Sequence, residues 1–140
     1  MSFLLDTNVV SEWTRPQPDR GVVEWLASID EDRTFLSVVT LAELRFGIER
    51  LAAGRRRASL QAWLDQDLAA RFTGRVLGVD ETVAQAWGSI LARALADGHT
   101  ISSLDGFIAA TAQTADLTLV TRNVRDFLGA GVTVYNPWTP

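Results

Sequence analysis

Phe3-Leu4-Leu5-Asp6-Thr7-Asn8 opens the chain with an apolar stretch that runs straight into a carboxylate, a hydroxyl and an amide. A short apolar run bounded by polar residues reads as a buried strand. Its polar triplet then falls at the strand's carboxyl end, where open α/β sheets bind their ligands. Taken alone, Asp6 reads first as the N-cap of a following helix and only second as the first ligand of a metal site. The choice depends on which other acids reach it.

Working outward, the chain alternates strands with helices. A short helix runs from Asn8 to about Thr14, and Pro16 and Pro18 punctuate the loop after it. Asp19 is placed to cap a second helix carrying Val22, Val23, Trp25, Leu26 and Ile29. Thr34 to Val39 is β-branched and aromatic, hence a strand. Thr40 and Glu43 then have the spacing of a capping box, with Leu41, Leu44, Ile48 and Leu51 at helical intervals and Gly54 closing the helix. A long helical pattern follows from Arg55 to about Phe72, then a strand over 76–79 and a helix bearing Val83, Trp87, Ile90, Leu91 and Leu95, closed by Gly98. Ser102 or Ser103 caps a helix that contains Asp105. Strands over 117–120 and 132–135 complete the pattern. Such alternation predicts an α/β fold with a small, mostly parallel sheet of four or five strands and helices on both faces.

Composition narrows the chemistry. The 140 residues suit one domain, and 47% hydrophobic content supports a real core. With no cysteine, disulfides, zinc thiolates and thiol nucleophiles are excluded. The single histidine, His99, leaves Ser-His-Asp chemistry without a partner. All 13 basic residues are arginine, which excludes P-loop NTPases and Schiff-base enzymes, both of which need a lysine. The net charge of −4 argues against a generic nucleic-acid coat. No signal-peptide pattern opens the chain and no apolar run approaches the ~18 residues of a membrane span, so a cytoplasmic protein with no membrane partner is expected.

In a parallel sheet all strand carboxyl ends share one edge. Asp6, Thr7 and Asn8 arrive there from the first strand, Thr40 and Glu43 from the second, and Thr121 and Asn123, with Asp126 a turn on, from a later one. Asp105 adds a carboxylate at a helix start. Each has a local explanation as a cap, a dipole partner or a turn residue. Together they would repel: two unit charges about 5 Å apart cost about 3 kcal/mol at an effective dielectric of 20. Arginines, bound protons or a divalent cation can relieve that repulsion. An all-oxygen site without His or Cys selects Mg²⁺ or Mn²⁺ over zinc, and such an ion can activate water against a phosphodiester.

These motifs, in this order, carry a resemblance: Leu4 to Asn8, Ser37 to Glu43 leading into Leu44-Arg45-Phe46-Gly47, Asp105 with Ile108 to Ala112, and Thr121-Arg122-Asn123 with Asp126-Phe127. Together they resemble a PIN-domain ribonuclease of the VapC toxin type. The Arg15-Pro16-Gln17-Pro18 loop and the Asn136-Pro137-Trp138 ending are similar to its FitB-like branch. The resemblance implies a single PIN domain over residues 1–140, a three-layer sandwich, Mg²⁺- or Mn²⁺-dependent RNA cleavage, homodimerisation, and inhibition by a VapB-type antitoxin that binds DNA, so that a larger assembly on DNA is expected.

Asp6, Glu43 and Asp105 match the family's three main acids and are the expected catalytic and metal-binding residues. Asn123 stands at the fourth catalytic position, often Asp; its amide can position a water or orient a ligand but brings no charge. Thr7, Asn8, Ser37, Thr121 and Asp126 are expected to support the site. Arg45 and Arg122 are candidate RNA contacts, with Arg50 and the Arg55-Arg56-Arg57 run also available. Trp13 is a candidate for partner contact. A competing reading is a non-catalytic PIN-fold module that binds RNA or a partner. An acid-nucleophile phosphatase is disfavoured, because Asn8 replaces the second Asp of its opening signature and no lysine is present.

Overall fold

A computed structural model describes residues 1–140. The chain runs β1 (Phe3–Leu5), α1 (Thr7–Ser11), α2 (Arg20–Ser28), β2 (Thr34–Ser37), α3 (Val38–Glu49) and α4 (Arg55–Ala62). A π-helical turn (Trp63–Leu68), α5 (Ala69–Arg71), β3 (Val76–Leu77), α6 (Glu81–Ala96), α7 (Ser103–Thr114), β4 (Thr118–Val120) and β5 (Val134–Tyr135) complete it. The five strands form one sheet in the order β3-β2-β1-β4-β5, and every pairing is parallel.

Strand alternation sorts the core. Phe3, Leu5 and Val120 point to one face, where Val9, Val22, Leu44, Ile48, Leu64, Leu68 and Phe72 bury them. Leu4 and Leu119 point to the other, under Ile90, Ala94, Ile108, Ala109 and Ala112 of α6 and α7. Two apolar layers against one sheet make the three-layer sandwich expected from the motifs. No helix is long and apolar enough to cross a membrane.

Several local expectations shift by a turn. The second strand ends at Ser37, not Val39, because the Ser37 hydroxyl accepts the Val39 N–H at 3.0 Å and starts α3 there. Thr40 is thus inside the helix, and the Thr40–Glu43 capping box is not formed. Helix α3 stops at Glu49, and Gly54 precedes α4 instead of closing α3. The Arg55–Phe72 pattern is one helical run interrupted by the π turn, which periodicity alone does not reveal. Asp19 does cap α2 through Gly21 N and Val22 N. It also accepts Thr139 N and Thr139 Oγ1, so the C-terminal tail is tied across the start of α2.

Gly106 sets the seat of α7. A Cβ there would lie 2.5 Å from Leu91 Cδ1 and 2.8 Å from Trp87 Nε1, while Trp87 Nε1 donates to Ser103 O at 3.0 Å and its ring stacks on Phe107 at 5.1 Å. Only a bare backbone lets α7 approach α6 this closely, and that approach places Asp105 next door. Gly88, in the middle of α6, meets nothing within 4 Å. Gly106→Ala is expected to lower stability by about 1–3 kcal/mol through overpacking, whereas Gly88→Ala should raise it by roughly 0.5–1 kcal/mol by removing helix-interior glycine entropy. Urea titration of both variants checks the pair of opposite signs.

Candidate active site

The strand order reverses between β1 and β4. After β3 the chain crosses from one side of β1 to the other, and a topological switch point opens at the carboxyl ends of these two strands. Asp6 follows β1 and Thr121 follows β4. Their neighbourhood is fixed by register, with Leu5 opposite Val120 and Asp6 N donating to Val120 O at 2.9 Å.

Asp6 is both cap and site residue. Its Oδ1 accepts Thr7 N at 2.8 Å, starting α1, and its Oδ2 accepts the Thr121 hydroxyl at 2.8 Å. Thr121 Oγ1 also accepts Asn8 Nδ2 at 3.2 Å and Asn123 N at 3.0 Å. One donated and two accepted bonds fill the capacity of a hydroxyl. Asn8 Oδ1 in turn accepts Arg122 N at 3.3 Å, so the loops after β1 and β4 are stitched together. Thr7 Oγ1 donates to Glu43 Oε1 at 2.8 Å and lies 3.5 Å from the Thr40 hydroxyl. Glu43 is held by α1 across the cleft, with its second oxygen free. Asp105 stands in the first turn of α7, whose cap is Ser102.

Asp6, Thr7, Asn8, Glu43 and Asp105 line one open cleft of about 330 Å³, with Thr121 buried beneath it. Its walls carry four carboxylates (Asp6, Glu12, Glu43 and Asp105) against two guanidiniums, Arg15 and Arg122. Fully ionised, the lining has two negative charges in excess. Burial and charge both act on these acids. Burial, and then the charges of Glu43 and Asp126, push the Asp6 carboxyl above the usual range, against the lowering effect of its bonds to Thr121 and Thr7. Burial also raises Asp105, with Asp6 and Asp126 adding to it and Ser102 opposing.

The oxygen-only donor set suits a hard cation. No group of three or more His, Cys, Asp or Glu side chains is drawn together tightly enough to hold an ion unaided. An ion that keeps most of its waters needs only one or two carboxylates. Asp6 and Asp105 line the same cleft, the charge of Asp6 helps to raise Asp105, and each Asp6 oxygen retains a lone pair beyond its present bond. That two-carboxylate set fits a hydrated divalent ion.

The remaining candidates divide. Asn123 and Asn8 line the cleft, as does Arg122, which also lies 5.8 Å over the Trp138 ring. Asp126 sits exposed in the 3₁₀ turn Val124–Phe127, outside the cleft lining, and acts on Asp6 through charge. Ser37 is buried and its hydroxyl is committed to capping α3. Arg45 pairs with Asp65 away from the cleft. Arg57 pairs with Glu49 at 3.7 Å, and Arg50 covers Phe46. Trp13, half-buried, packs on Phe72 with the Arg71 guanidinium over its ring. Glu12 and Trp138 are cleft residues that sequence spacing did not single out. Glu12 is buried where the loop after it returns, with Asp19 N donating to its carboxylate.

The raised carboxyls have a pH signature. A folded-state pKa above the unfolded value contributes stability below the ordinary carboxylate range, and that contribution is lost as pH rises through the folded value. Asp105→Asn removes one such group. In chelator, its melting temperature relative to wild type is expected to climb as pH goes from about 4 to 7. A flat or falling difference in a pH series of thermal melts would contradict the shift.

Comparison with known proteins fits this geometry. The PIN domain family matches residues 3–129. Toxin FitB of Neisseria gonorrhoeae is 44% identical over 136 residues, covering 97% of this chain and 98% of that protein. A VapC ribonuclease of Sinorhizobium fredii is 38% identical over 138 residues, covering 99% of each. Among solved structures, FitAB bound to a DNA fragment superposes with a TM-score of 0.93 at 41% identity, over 99% of this chain and 96% of that one. The chain is therefore a PIN-domain protein of the VapC toxin family, on its FitB-like branch.

Proposed function

We propose that the chain is the toxin of a VapBC-type toxin–antitoxin pair, an endoribonuclease that hydrolyses RNA phosphodiester bonds with Mg²⁺, or Mn²⁺ in its place. The observation that carries this reading is the convergence of Asp6, Glu43 and Asp105 on one cleft at the switch point, with excess negative charge and no His, Cys or Lys near it. Asp6 and Asp105 are the ligands that would hold the ion. Bound there, it supplies charge neutralisation at the phosphate and a water of lowered pKa.

The chain's own residues do the rest. Thr7 and Thr121 hold the Asp6 oxygens in place. Glu43, anchored through one oxygen by Thr7, offers the other to accept a proton from the attacking water. Asn123 contributes a neutral amide where another acid would favour a second ion, so one ion is the expected occupancy. Arg122 is placed to meet a phosphate oxygen from the β4 side. Residues 1–140 act as one PIN domain in the cytoplasm.

Partners belong to the same proposal. The relative FitAB is solved on a DNA fragment, which supports a VapB-type antitoxin that carries the toxin to DNA; the toxin is proposed to be a homodimer. Beside the acid cleft runs a wider groove of about 790 Å³ floored by Leu44, Ile48, Leu51, Leu60 and Trp63, a surface suited to an apolar segment of that antitoxin.

The direct test is cleavage of a structured RNA with Mn²⁺ or Mg²⁺ added to chelator-treated protein. Activity should require the ion, and Asp6→Asn should lower it by at least about a hundredfold, in line with the loss of an electrostatic group at a reacting centre. Undiminished cleavage by Asp6→Asn sinks the assignment. Intact folding with neither ion binding nor cleavage favours the non-catalytic module instead.

A further inference from the structure

Glu12 is the cleft carboxylate that the proposed chemistry does not use. It is almost wholly buried, its side chain 5% exposed, yet it forms an ion pair at 3.1 Å with Nε of Arg15, whose side chain is 61% exposed. The other Glu12 oxygen accepts Asp19 N at 2.8 Å, and the Glu12 carbonyl accepts Arg15 N at 3.2 Å. These bonds close the Arg15-Pro16-Gln17-Pro18 loop from both ends. Pro16 and Pro18 fix φ within it, so the loop carries little freedom.

The pairing is asymmetric in a way that bears on function. A guanidinium has five N–H bonds, and Nε provides the contact to Glu12. The four N–H bonds of the two Nη groups remain on the exposed end. Arg15 lines both the acid cleft and the wider groove beside it, and so stands at their junction. It is one of only two guanidiniums in the acid cleft; Arg122, which follows β4, is the other. A phosphate chain entering the acid cleft from the groove meets Arg15 at the junction of the two.

We propose that Arg15 is a substrate-phosphate contact, binding a backbone phosphate of the RNA on the groove side of Asp6 and Glu43, and that Glu12 is its positioning residue. The assignment rests on the ribonuclease reading. Glu12 holds Nε, aims the Nη fork along the cleft and prevents the guanidinium from collapsing onto Glu43. Fork geometry suits a phosphate bidentately.

The test uses full-length protein and a labelled single-stranded RNA oligonucleotide of mixed sequence, with cleavage followed at several salt concentrations. Arg15→Ala should raise KM roughly tenfold or more, as for loss of a hydrogen bond to a charged group, with kcat little changed. The slope of log KM against log salt should fall by about 0.7, the value for one phosphate contact on a single strand. Arg15→Lys should restore the slope and part of the affinity. Glu12→Gln should raise KM by less and keep the slope. Wild-type KM and slope in Arg15→Ala, with its fold verified by melting temperature, overturn the proposal. Equilibrium binding of the same RNA, read by anisotropy, measures the contact independently of turnover. If wild type binds but does not cleave, the nuclease reading fails, while the Arg15 affinity loss and slope still decide this one.

Discussion

A carboxylate buried at the end of the first strand is the constraint on which the rest of the structure depends. Asp6 is only 6% exposed, and a desolvated carboxylate is expensive unless hydrogen-bonded. Its two oxygens are satisfied by a backbone N–H one residue on and by a hydroxyl 115 residues away. The second bond exists only because β1 and β4 pair in the observed register. A one-residue slip would turn Thr121 to the opposite face and leave Asp6 unpaired. The site and the sheet therefore specify each other. Thr121 is the joint, since its hydroxyl is also the acceptor for Asn8 and Asn123.

Topology explains why the other acids gather there. The switch point between β1 and β4 leaves a crevice with helices on each side. Helix α3 delivers Glu43 from one wall, and α7, seated closely on α6 by Gly106, delivers Asp105 from the other. Neither acid is paired with an arginine; the available guanidiniums are at the rim, one bound to Glu12 and one over Trp138. Burial raises the Asp6 and Asp105 carboxyls, and the uncancelled charge of neighbouring acids adds to it. This is an arrangement poised to take up positive charge, whether as protons or as a cation.

Much of this was legible in the sequence, for physical reasons that differ by element. The apolar stretch ending at Asp6 and the strand ending at Thr121 announce themselves by composition, and parallel topology brings their ends together. Asp105 follows from a Ser102 cap. Glu43 was found as an acid but not in its setting: the capping box with Thr40 looked right by spacing, whereas Ser37 starts the helix earlier and frees Glu43 for Thr7. Arg45 could not be placed from spacing, because its partner Asp65 lies on a π turn that shifts the helical phase. Glu12 and Trp138 were invisible as cleft residues. Their position depends on a proline-bounded loop and a C-terminal tail whose paths are set by long-range bonds to Asp19 and Glu12.

The most direct test of the central claim, that Asp6 and Asp105 form a hard-cation site, is calorimetric titration of Mn²⁺ into metal-free protein in buffers of differing ionisation enthalpy. A single ion per chain is predicted, with proton release that grows as pH falls toward the raised carboxyls, and with binding lost in Asp6→Asn and Asp105→Asn. Equal Mn²⁺ affinity in wild type and both variants, or no binding by folded wild type, would contradict the account.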